Sequence, residues 1–176
     1  MNRFEKISFN EFDNAMVNEY HDWLELCDNE NISLWPAMEK DVYDNIILPE
    51  RATAGSAGYD IHTPFAFDMK PGESMTVLTG IRALIDPGCF LMIVPRSGLG
   101  FKYGIGLANT VGIVDSDYSD SDNEGHIYIK LVNRGDKTVS FNDGDRIAQG
   151  IFLPYAITDD DKAVASRNGG FGSTGE

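Results

Sequence analysis

Short apolar runs separated by turn signals dominate this chain from Ile46 onward. The turn signals are glycine-containing pairs that favour tight reversals of the backbone, at Pro71-Gly72, Pro87-Gly88, Arg134-Gly135 and Asp143-Gly144. Runs this short between turns are typical of strands. The predicted strands are Met75–Leu78, Ile81–Ile85, Phe90–Val94, His126–Val132 and Arg146–Leu153. Their spacing predicts an all-β fold, a closed or double-sheet antiparallel barrel.

The first 45 residues lack this pattern of short apolar runs between turns, and they predict a helical extension. Apolar side chains recur there at steps of three and four residues, at Phe9, Phe12, Met16, Tyr20, Trp23 and Leu24. This is the spacing of an amphipathic helix, and Ser8 with Glu11 has the spacing of a capping box at its start. The apolar stripe must be buried, either on the chain's own core or a symmetry mate, or against a partner protein. A second short helix is predicted around Ala37–Tyr43.

At 176 residues the chain has room for one stable domain. We divide it into a helical extension at 1–45 packed on the core, a β-barrel core at 46–157, and an acidic linker with a glycine-rich arm at 158–176. The arm loses all periodicity after Thr158 and reads as a mobile segment.

The formal net charge of -14 argues against binding to nucleic acid or to an anionic membrane surface. A polyanion held by this chain would need local arginines or a cation. No signal peptide or membrane span is visible, so the cytoplasm is the expected location. Cys27 and Cys89 are far apart in sequence and are expected to be reduced thiols.

The last ten residues, RNGGFGSTGE, combine groups that suit an anion. Arg167 can pair with two phosphate oxygens, the glycines let backbone N–H groups approach closely, and Ser173 and Thr174 add hydroxyl donors. Phe171 fits either a tail anchor in a hydrophobic hole or a lid that stacks on a flat ring. The segment lacks the lysine and the following helix of a nucleotide-binding P-loop, and it could equally be a disordered terminus.

Two further stretches carry candidate chemistry. In PRSGLG, Arg96 and Ser97 follow an apolar strand and suit a phosphate, although ordinary turns at strand ends look similar. In ANTVGIVDSDYSDSDNEG, an apolar run leads into Asp115, which predicts a partly desolvated carboxylate suited to a general base or a metal-linked acid. The later acids of this stretch are expected at a solvated hairpin tip, and a calcium loop is disfavoured because Leu131 stands where the closing Glu should be.

Five segments in order resemble the motifs of the trimeric dUTPase family. They are AGYDI at 57–61, PRSGLG at 95–100, NTVGIVDSDY at 109–118, RIAQGIF at 146–152 and RNGGFGSTG at 167–175. The resemblance implies a jelly-roll or distorted β-barrel subunit, a homotrimer with active sites between subunits, and a C-terminal arm that closes over a site built largely by other subunits. Between Tyr118 and Gly125 the chain is longer than the short hairpin usual in the family.

The resemblance also implies roles for the nucleoside end of dUTP. Asp115 would activate the water that attacks the α-phosphorus, and Tyr118 would pack under deoxyribose. Tyr128 would be a further contact to uracil. The edge of uracil would be read by Asn109 and by the main chain of Gly112, Ile113 and Val114.

At the triphosphate end, the resemblance implies phosphate contacts from Arg96, Ser97 and Gly98. Asp60 and Gln149 would reach, through water, a Mg²⁺ ion bound chiefly by the triphosphate. The arm would add Phe171, stacked on uracil, with Gly172 beside it. Its γ-phosphate ligands would be Arg167, Ser173 and Thr174.

The resulting hypothesis is a dUTP diphosphatase that forms dUMP and pyrophosphate, which limits uracil incorporation into DNA and supplies dUMP for thymidylate synthesis. One alternative is the same scaffold acting also as a regulatory switch that binds a protein through the N-terminal helix or the 119–124 loop. The related dCTP deaminase is a less favoured alternative.

Overall fold

The computed structural model describes residues 1–26 and 39–165, with side chains described outside 21–26. Its helices are α1 (Phe9–Leu26), α2 (residues 39–44) and α3 (Ser97–Tyr103), with a single 3-10 turn at Tyr118–Asp120. In these ranges the chain forms eleven strands: β1 (Arg3–Lys6), β2 (Tyr59–His62), β3 (Phe67–Met69), β4 (Ser74–Leu78), β5 (Ile81–Leu84), β6 (Cys89–Pro95), β7 (Ile105–Leu107), β8 (Gly112–Val114), β9 (Tyr128–Asn133), β10 (Val139–Phe141) and β11 (Arg146–Pro154).

The strands pair antiparallel in two main sheets. One sheet has the order β2-β11-β6-β8, and the other has the order β4-β9-β7. Two further pairs, β1-β5 and β10-β3, extend this framework. The all-β prediction with an N-terminal helix is therefore confirmed, in the double-sheet form. None of the described helices has the length and apolar character needed to cross a membrane.

The predicted strands match the observed ones with one instructive difference. We predict a strand from His126, but β9 begins at Tyr128. The two residues before it are used differently: the Ile127 N–H donates to the Ile81 carbonyl, and the His126 ring accepts the Gly80 N–H. A side-chain hydrogen bond from outside the strand thus decides where regular pairing starts.

PRSGLG does not end as a loose turn, because Ser97 begins helix α3. The helix stops at Gly104, whose φ of 69° places it in the left-handed region and whose N–H caps the Leu99 and Gly100 carbonyls. A Cβ at this glycine would lie 2.7 Å from the Gly135 nitrogen. The close approach of a neighbouring turn therefore requires a glycine here, which the sequence pattern around 95–100 does not reveal.

The N-terminal segment is built into the core. Strand β1 pairs with β5, and α1 buries the predicted stripe as far as it is described, with Phe12 fully inaccessible. The Glu11 N–H donates to Ser8 Oγ at 3.2 Å, which confirms Ser8 as the helix cap. The Ser8 N–H, however, donates to Glu124 and not to the Glu11 side chain, so the predicted capping box is only half formed.

The expectation of a solvated tip for the later acids is also wrong in part. Asp120 and Asp122 are exposed, but Glu124 is drawn back onto the N-terminal helix by hydrogen bonds from Ser8. The second predicted helix is found over residues 39–44, while positions 37 and 38 lie outside the described residues.

His126 is the most deeply buried titratable group beneath this region, with no exposed surface. Its Nε2 accepts the Gly80 N–H at 3.0 Å, and its Nδ1 lies 4.0 Å from Glu11 Oε1. Burial lowers the pKa of His126 from 6.5 to about 3. The folded chain therefore holds the neutral imidazole across the whole mildly acidic range.

The lowered pKa of His126 gives a pH dependence of stability. Below pH 6.5 the unfolded chain binds a proton at this histidine, whereas the folded chain does not until the pH approaches about 3. Protonation therefore favours the unfolded chain, so the free energy of unfolding has its full value above pH 6.5 and decreases as the pH falls. We expect His126 to make the free energy of unfolding fall by about 1 kcal/mol per pH unit between about pH 6.5 and 5. Urea unfolding of His126→Gln, which keeps an acceptor for Gly80, should show a shallower slope. Because burial also lowers the pKa of His62, the comparison is made in a His62→Gln background. An unchanged slope on replacing His126 there would contradict the assignment.

Candidate functional site

A cavity of about 650 Å³ opens between the β7–β8 hairpin and strand β9. This volume is in the range of small-molecule sites. Its lining includes every described residue that the sequence predicts to contact the nucleoside: Asn109, Gly112, Ile113, Val114, Tyr118 and Tyr128. The structure therefore brings this predicted half-site together in one protomer.

The turn of the β7–β8 hairpin is tight and strained. Thr110 has a φ of 65°, a backbone region that β-branched residues rarely adopt. The Val111 N–H donates to the Asn109 carbonyl at 2.6 Å across this residue. On the next strand, a Cβ on Gly112 would lie 3.3 Å from Ile93 Cβ, so the hairpin backbone lies directly on β6. Such strain persists only where the surrounding structure imposes it. The surrounding structure therefore holds the backbone of the hairpin, which lines the cavity, in one conformation.

Tyr118 forms a buried wall of the cavity, and its ring orientation is fixed at the hydroxyl. The hydroxyl donates to the His126 carbonyl at 2.9 Å and accepts from Asn123 Nδ2 at 3.0 Å. Tyr128 lies beside it, edge-on to the His126 ring with centroids 4.5 Å apart. Burial raises the pKa of Tyr128 to about 12. Tyr128 is therefore neutral at physiological pH, and the Tyr118 hydroxyl is held by two hydrogen bonds.

Asp115 directly follows β8 and lines a second cavity together with Phe90 and Tyr155. Ile113 lies between this cavity and the first one, because it lines both. Its carbonyl accepts the Tyr118 N–H at 3.1 Å. The side chain of Asp115 is exposed in the protomer. The expectation that the apolar run before it would desolvate this carboxylate is therefore wrong for a single chain.

A second cluster lies at the far end of β6 and carries the predicted phosphate and metal residues. Arg96 Nε lies 2.9 Å from Asp60 Oδ1, and Arg146 Nη1 lies 3.2 Å from Asp60 Oδ2. Asp60 is nearly buried, at 8% exposure, while both guanidinium groups reach the surface. The carboxylate thus holds two cations side by side, an arrangement suited to an anion with several oxygens.

Gln149 is opposite Asp60 in the pairing of β11 with β2. Its Nε2 donates to the Pro95 carbonyl at 3.2 Å, and its Oε1 faces Gly58, where a Cβ would collide with it. Ser97 and Gly98 form the first turn of α3, directly after Arg96. No cluster of three acidic, histidine or cysteine side chains that could cage a metal occurs among the described residues.

The two half-sites lie at opposite ends of β6. Ile93 pairs with Gly112 and Leu91 with Val114, so continuing the antiparallel register places Asp115 level with Phe90. Arg96 is six positions further along the chain. At about 3.3 Å per residue the two are separated by about 20 Å. A reacting water must approach its target to about 3 Å, so Asp115 and Arg96 of one chain do not act on the same phosphate group.

Five predicted residues lie outside the described residues: Arg167, Phe171, Gly172, Ser173 and Thr174. Conversely, the prediction omits Arg146 and Asn123. Arg146 starts the RIAQGIF segment, and its charge in a strongly acidic chain is a signal that could have identified it. Asn123 carries no such signal, because its role depends on the fold of the loop around it.

Comparison with known proteins gives a consistent result. The chain matches the family model described as dUTPase over residues 44–175. It is 40% identical over 133 residues to the deoxyuridine 5'-triphosphate nucleotidohydrolase of Lactococcus lactis subsp. lactis, covering 74% of this chain and 89% of that protein.

Solved structures agree on the fold. The crystal structure of a dUTPase from Streptococcus mutans is similar with a TM-score of 0.60 at 38% identity, covering 66% of this chain and 91% of that chain. A dUTPase mutant from phage phi11 of S. aureus, described with a structural Mg(II) ion, has a TM-score of 0.58 at 20% identity, covering 68% of this chain and 91% of that chain. At that identity the likeness is one of fold alone. Because the family match and the bacterial relatives each span most of its length, the chain belongs to the dUTPase family.

Proposed function

We propose that this chain hydrolyses dUTP to dUMP and pyrophosphate and binds the nucleoside in the cavity between the β7–β8 hairpin and β9. The observation that carries the proposal is the joint lining of that cavity by a strained backbone hairpin and a locked tyrosine. Membership of the dUTPase family and a relative named deoxyuridine 5'-triphosphate nucleotidohydrolase support the same activity. The reaction limits uracil in DNA and supplies dUMP for thymidylate synthesis.

In this proposal the hairpin selects the base. Asn109 and the main chain of Gly112, Ile113 and Val114 bind the polar edge of uracil, and the tight hairpin excludes the methyl group of thymine. Cytosine would leave buried donors and acceptors unpaired, which is a strong ground for rejection. The Tyr118 ring packs under deoxyribose, where a ribose hydroxyl would collide with it, and Tyr128 adds a contact to uracil.

The triphosphate binds at the paired arginines. Arg96 and the first turn of α3, with Ser97 and Gly98, contact phosphate oxygens. Asp60 and Gln149 are adjacent oxygen-bearing side chains that fit Mg²⁺ through water. A cation held mostly by phosphate and water suits a chain whose described residues form no protein cage for it. Such an ion supplies charge neutralisation at the phosphates.

Asp115 orients and deprotonates the attacking water. Its exposure in the single protomer and its separation from Arg96 both favour a site completed by a second copy of the chain. A homotrimer provides this, with Asp115 and the nucleoside cavity from one subunit and the arginine cluster from another. Arg167, Ser173 and Thr174 of the arm close over the γ-phosphate, while Phe171, beside Gly172, stacks on uracil.

The alternatives have less support. A protein-binding switch through the N-terminal helix or the 119–124 loop would need these surfaces free, but Phe12 and Met16 are buried and Glu124 is hydrogen-bonded to Ser8. A dCTP deaminase would have to bind cytosine and release ammonia from it. The hairpin contacts that we propose suit the polar edge of uracil and not that of cytosine.

Substrate selection tests the proposal directly. Pyrophosphate release with Mg²⁺ should be fastest from dUTP and lower by about two orders of magnitude or more from dTTP, dCTP and UTP, because each analogue clashes or leaves buried polar groups unpaired. Comparable rates for all four, or ammonia release from dCTP, would contradict it.

Replacement of the general base should affect turnover more than binding. Asp115→Asn keeps the shape of the side chain but cannot accept a proton, so kcat should fall by about three orders of magnitude while dUTP still binds. Steady-state kinetics and calorimetric titration with a non-hydrolysable dUTP analogue measure the two effects. Asp117→Asn, an exposed acid two residues away, is the matched control.

Subunit mixing tests whether a site is shared. Asp115→Asn and Arg96→Ala should each be nearly inactive alone, but a refolded equimolar mixture should regain activity in about a quarter of its sites, where the intact residues come from different chains. The pyrophosphate assay reads this out after size-exclusion chromatography. No recovery in mixed trimers would show that both residues act within one chain.

A further inference from the structure

The stretch from Ser119 to Gly125 joins the nucleoside cavity to the N-terminal helix. Glu124 of this stretch accepts two hydrogen bonds from Ser8, from the N–H at 2.8 Å and from Oγ at 2.6 Å. Ser8 Oγ at the same time accepts the Glu11 N–H, so the residue that caps α1 is also the residue that holds the loop. We refer to the contact between Ser8 and Glu124 as the Ser8–Glu124 clamp.

The backbone of Glu124 is strained. Its φ of 55° lies in the left-handed region, which glycine and asparagine adopt far more readily than glutamate. A residue persists in such a conformation only when its surroundings determine it. Here the compensating interaction is the bidentate contact to Ser8, which also holds the pKa of Glu124 below its ordinary value. A glycine would adopt this turn without strain. The glutamate therefore contributes its side-chain contact to Ser8, and the turn itself does not require it.

The clamp is one residue from the cavity wall. Asn123, next to Glu124, donates from Nδ2 to the Tyr118 hydroxyl at 3.0 Å. Its Oδ1 accepts the Gly125 N–H at 3.2 Å, and its carbonyl accepts the His126 N–H at 2.9 Å. Asn123 is thus held at its amide nitrogen, its amide oxygen and its carbonyl, and its position depends on the loop that the clamp holds.

A second connection runs from the N-terminal segment to the other side of Tyr118. The Ile7 N–H donates to the Gly80 carbonyl at 3.1 Å, and the Gly80 N–H donates to His126 Nε2 at 3.0 Å. The His126 carbonyl accepts the Tyr118 hydroxyl. A Cβ at Gly80 would lie 3.2 Å from Phe12 of α1, so helix and turn pack without a gap. Both hydrogen bonds of the Tyr118 hydroxyl therefore lead back to residues 7–12.

We propose that the Ser8–Glu124 clamp is a positioning device for Tyr118, through which the N-terminal helix sets the preference of the cavity for 2'-deoxyribose. The inference rests on the proposed dUTP hydrolysis, with Tyr118 under the sugar. Ser8, Glu124 and Asn123 are positioning residues: they act on substrate through Tyr118. Release of the clamp lets the ring move, which weakens nucleoside binding and admits a ribose hydroxyl, while the water at Asp115 and the arginine cluster are unaffected.

The test uses the full chain with Mg²⁺ and compares kcat and KM for dUTP and UTP. In Glu124→Ala we expect KM for dUTP to rise about tenfold, kcat to change by less than about twofold, and the dUTP-to-UTP ratio of kcat/KM to fall by about fivefold or more. Ser8→Ala removes the Oγ hydrogen bond but keeps the backbone N–H bond to Glu124, so the same changes should be smaller there. The double variant should be no worse than Glu124→Ala alone in KM and in dUTP preference, because loss of the Glu124 carboxylate already removes both hydrogen bonds of the clamp. Ser8→Thr keeps the hydroxyl and should restore the parent values. Asp122→Ala removes an exposed charge from the same loop and is the matched control.

Glu124→Gly separates positioning from stability. It removes the carboxylate but also the backbone strain, so its Tm should equal or exceed that of Glu124→Ala while its dUTP preference remains low. It also keeps the test decisive if Glu124→Ala does not fold. Unchanged KM and unchanged dUTP preference in folded Ser8→Ala and Glu124→Gly would overturn the inference, whatever happens to Tm. Failure of the unsubstituted chain to hydrolyse dUTP would instead overturn the proposed function, and the inference with it.

Discussion

Strand β6 pairs with β11 on one side along Cys89–Pro95 and with β8 on the other. This register positions almost every candidate residue. It places the hairpin that carries Gly112 directly against Ile93, it puts Gln149 beside Val94, and it releases Arg96 at the end of the strand. Because a one-residue slip would turn every side chain to the other face, the buried residues of β6, such as Leu91 and Ile93, lock the geometry of both half-sites.

The same register places the two groups of candidate site residues at opposite ends of β6. The nucleoside cavity and Asp115 lie towards one end of β6, and the Arg96–Asp60–Arg146 cluster lies at the other. With the roles that we propose for Asp115 and Arg96, neither half completes the reaction alone, which is why we propose an active site shared between subunits. This arrangement also reconciles an acidic chain, with a net charge of -14, with a polyanionic substrate, since Arg96 and Arg146 lie side by side on one carboxylate.

The N-terminal extension contacts the loop beside the cavity through the Ser8–Glu124 clamp. Its helix caps through Ser8, and the same residue holds the loop that positions Asn123 and Tyr118. Buried neutral His126 lies between helix and cavity, so the packing of α1 and the shape of the nucleoside site are not independent. A segment that looks like an appendage in sequence is connected by hydrogen bonds to residues that line the cavity.

The sequence by itself determined the strands with strong turn signals, the helix after Ser8, and the five segments that indicate the family, because periodicity, turn residues and motif order are local properties. It did not determine that α3 would form at Ser97, that Glu124 would fold back onto Ser8, or that Asp115 would be exposed in one chain. These features depend on contacts between residues far apart in sequence: Ser8 and Glu124 are 116 positions apart, and Asp60 and Arg146 are 86 apart. Only the packed tertiary structure brings such groups within hydrogen-bonding distance, and so it alone decided which polar groups are paired, strained or exposed.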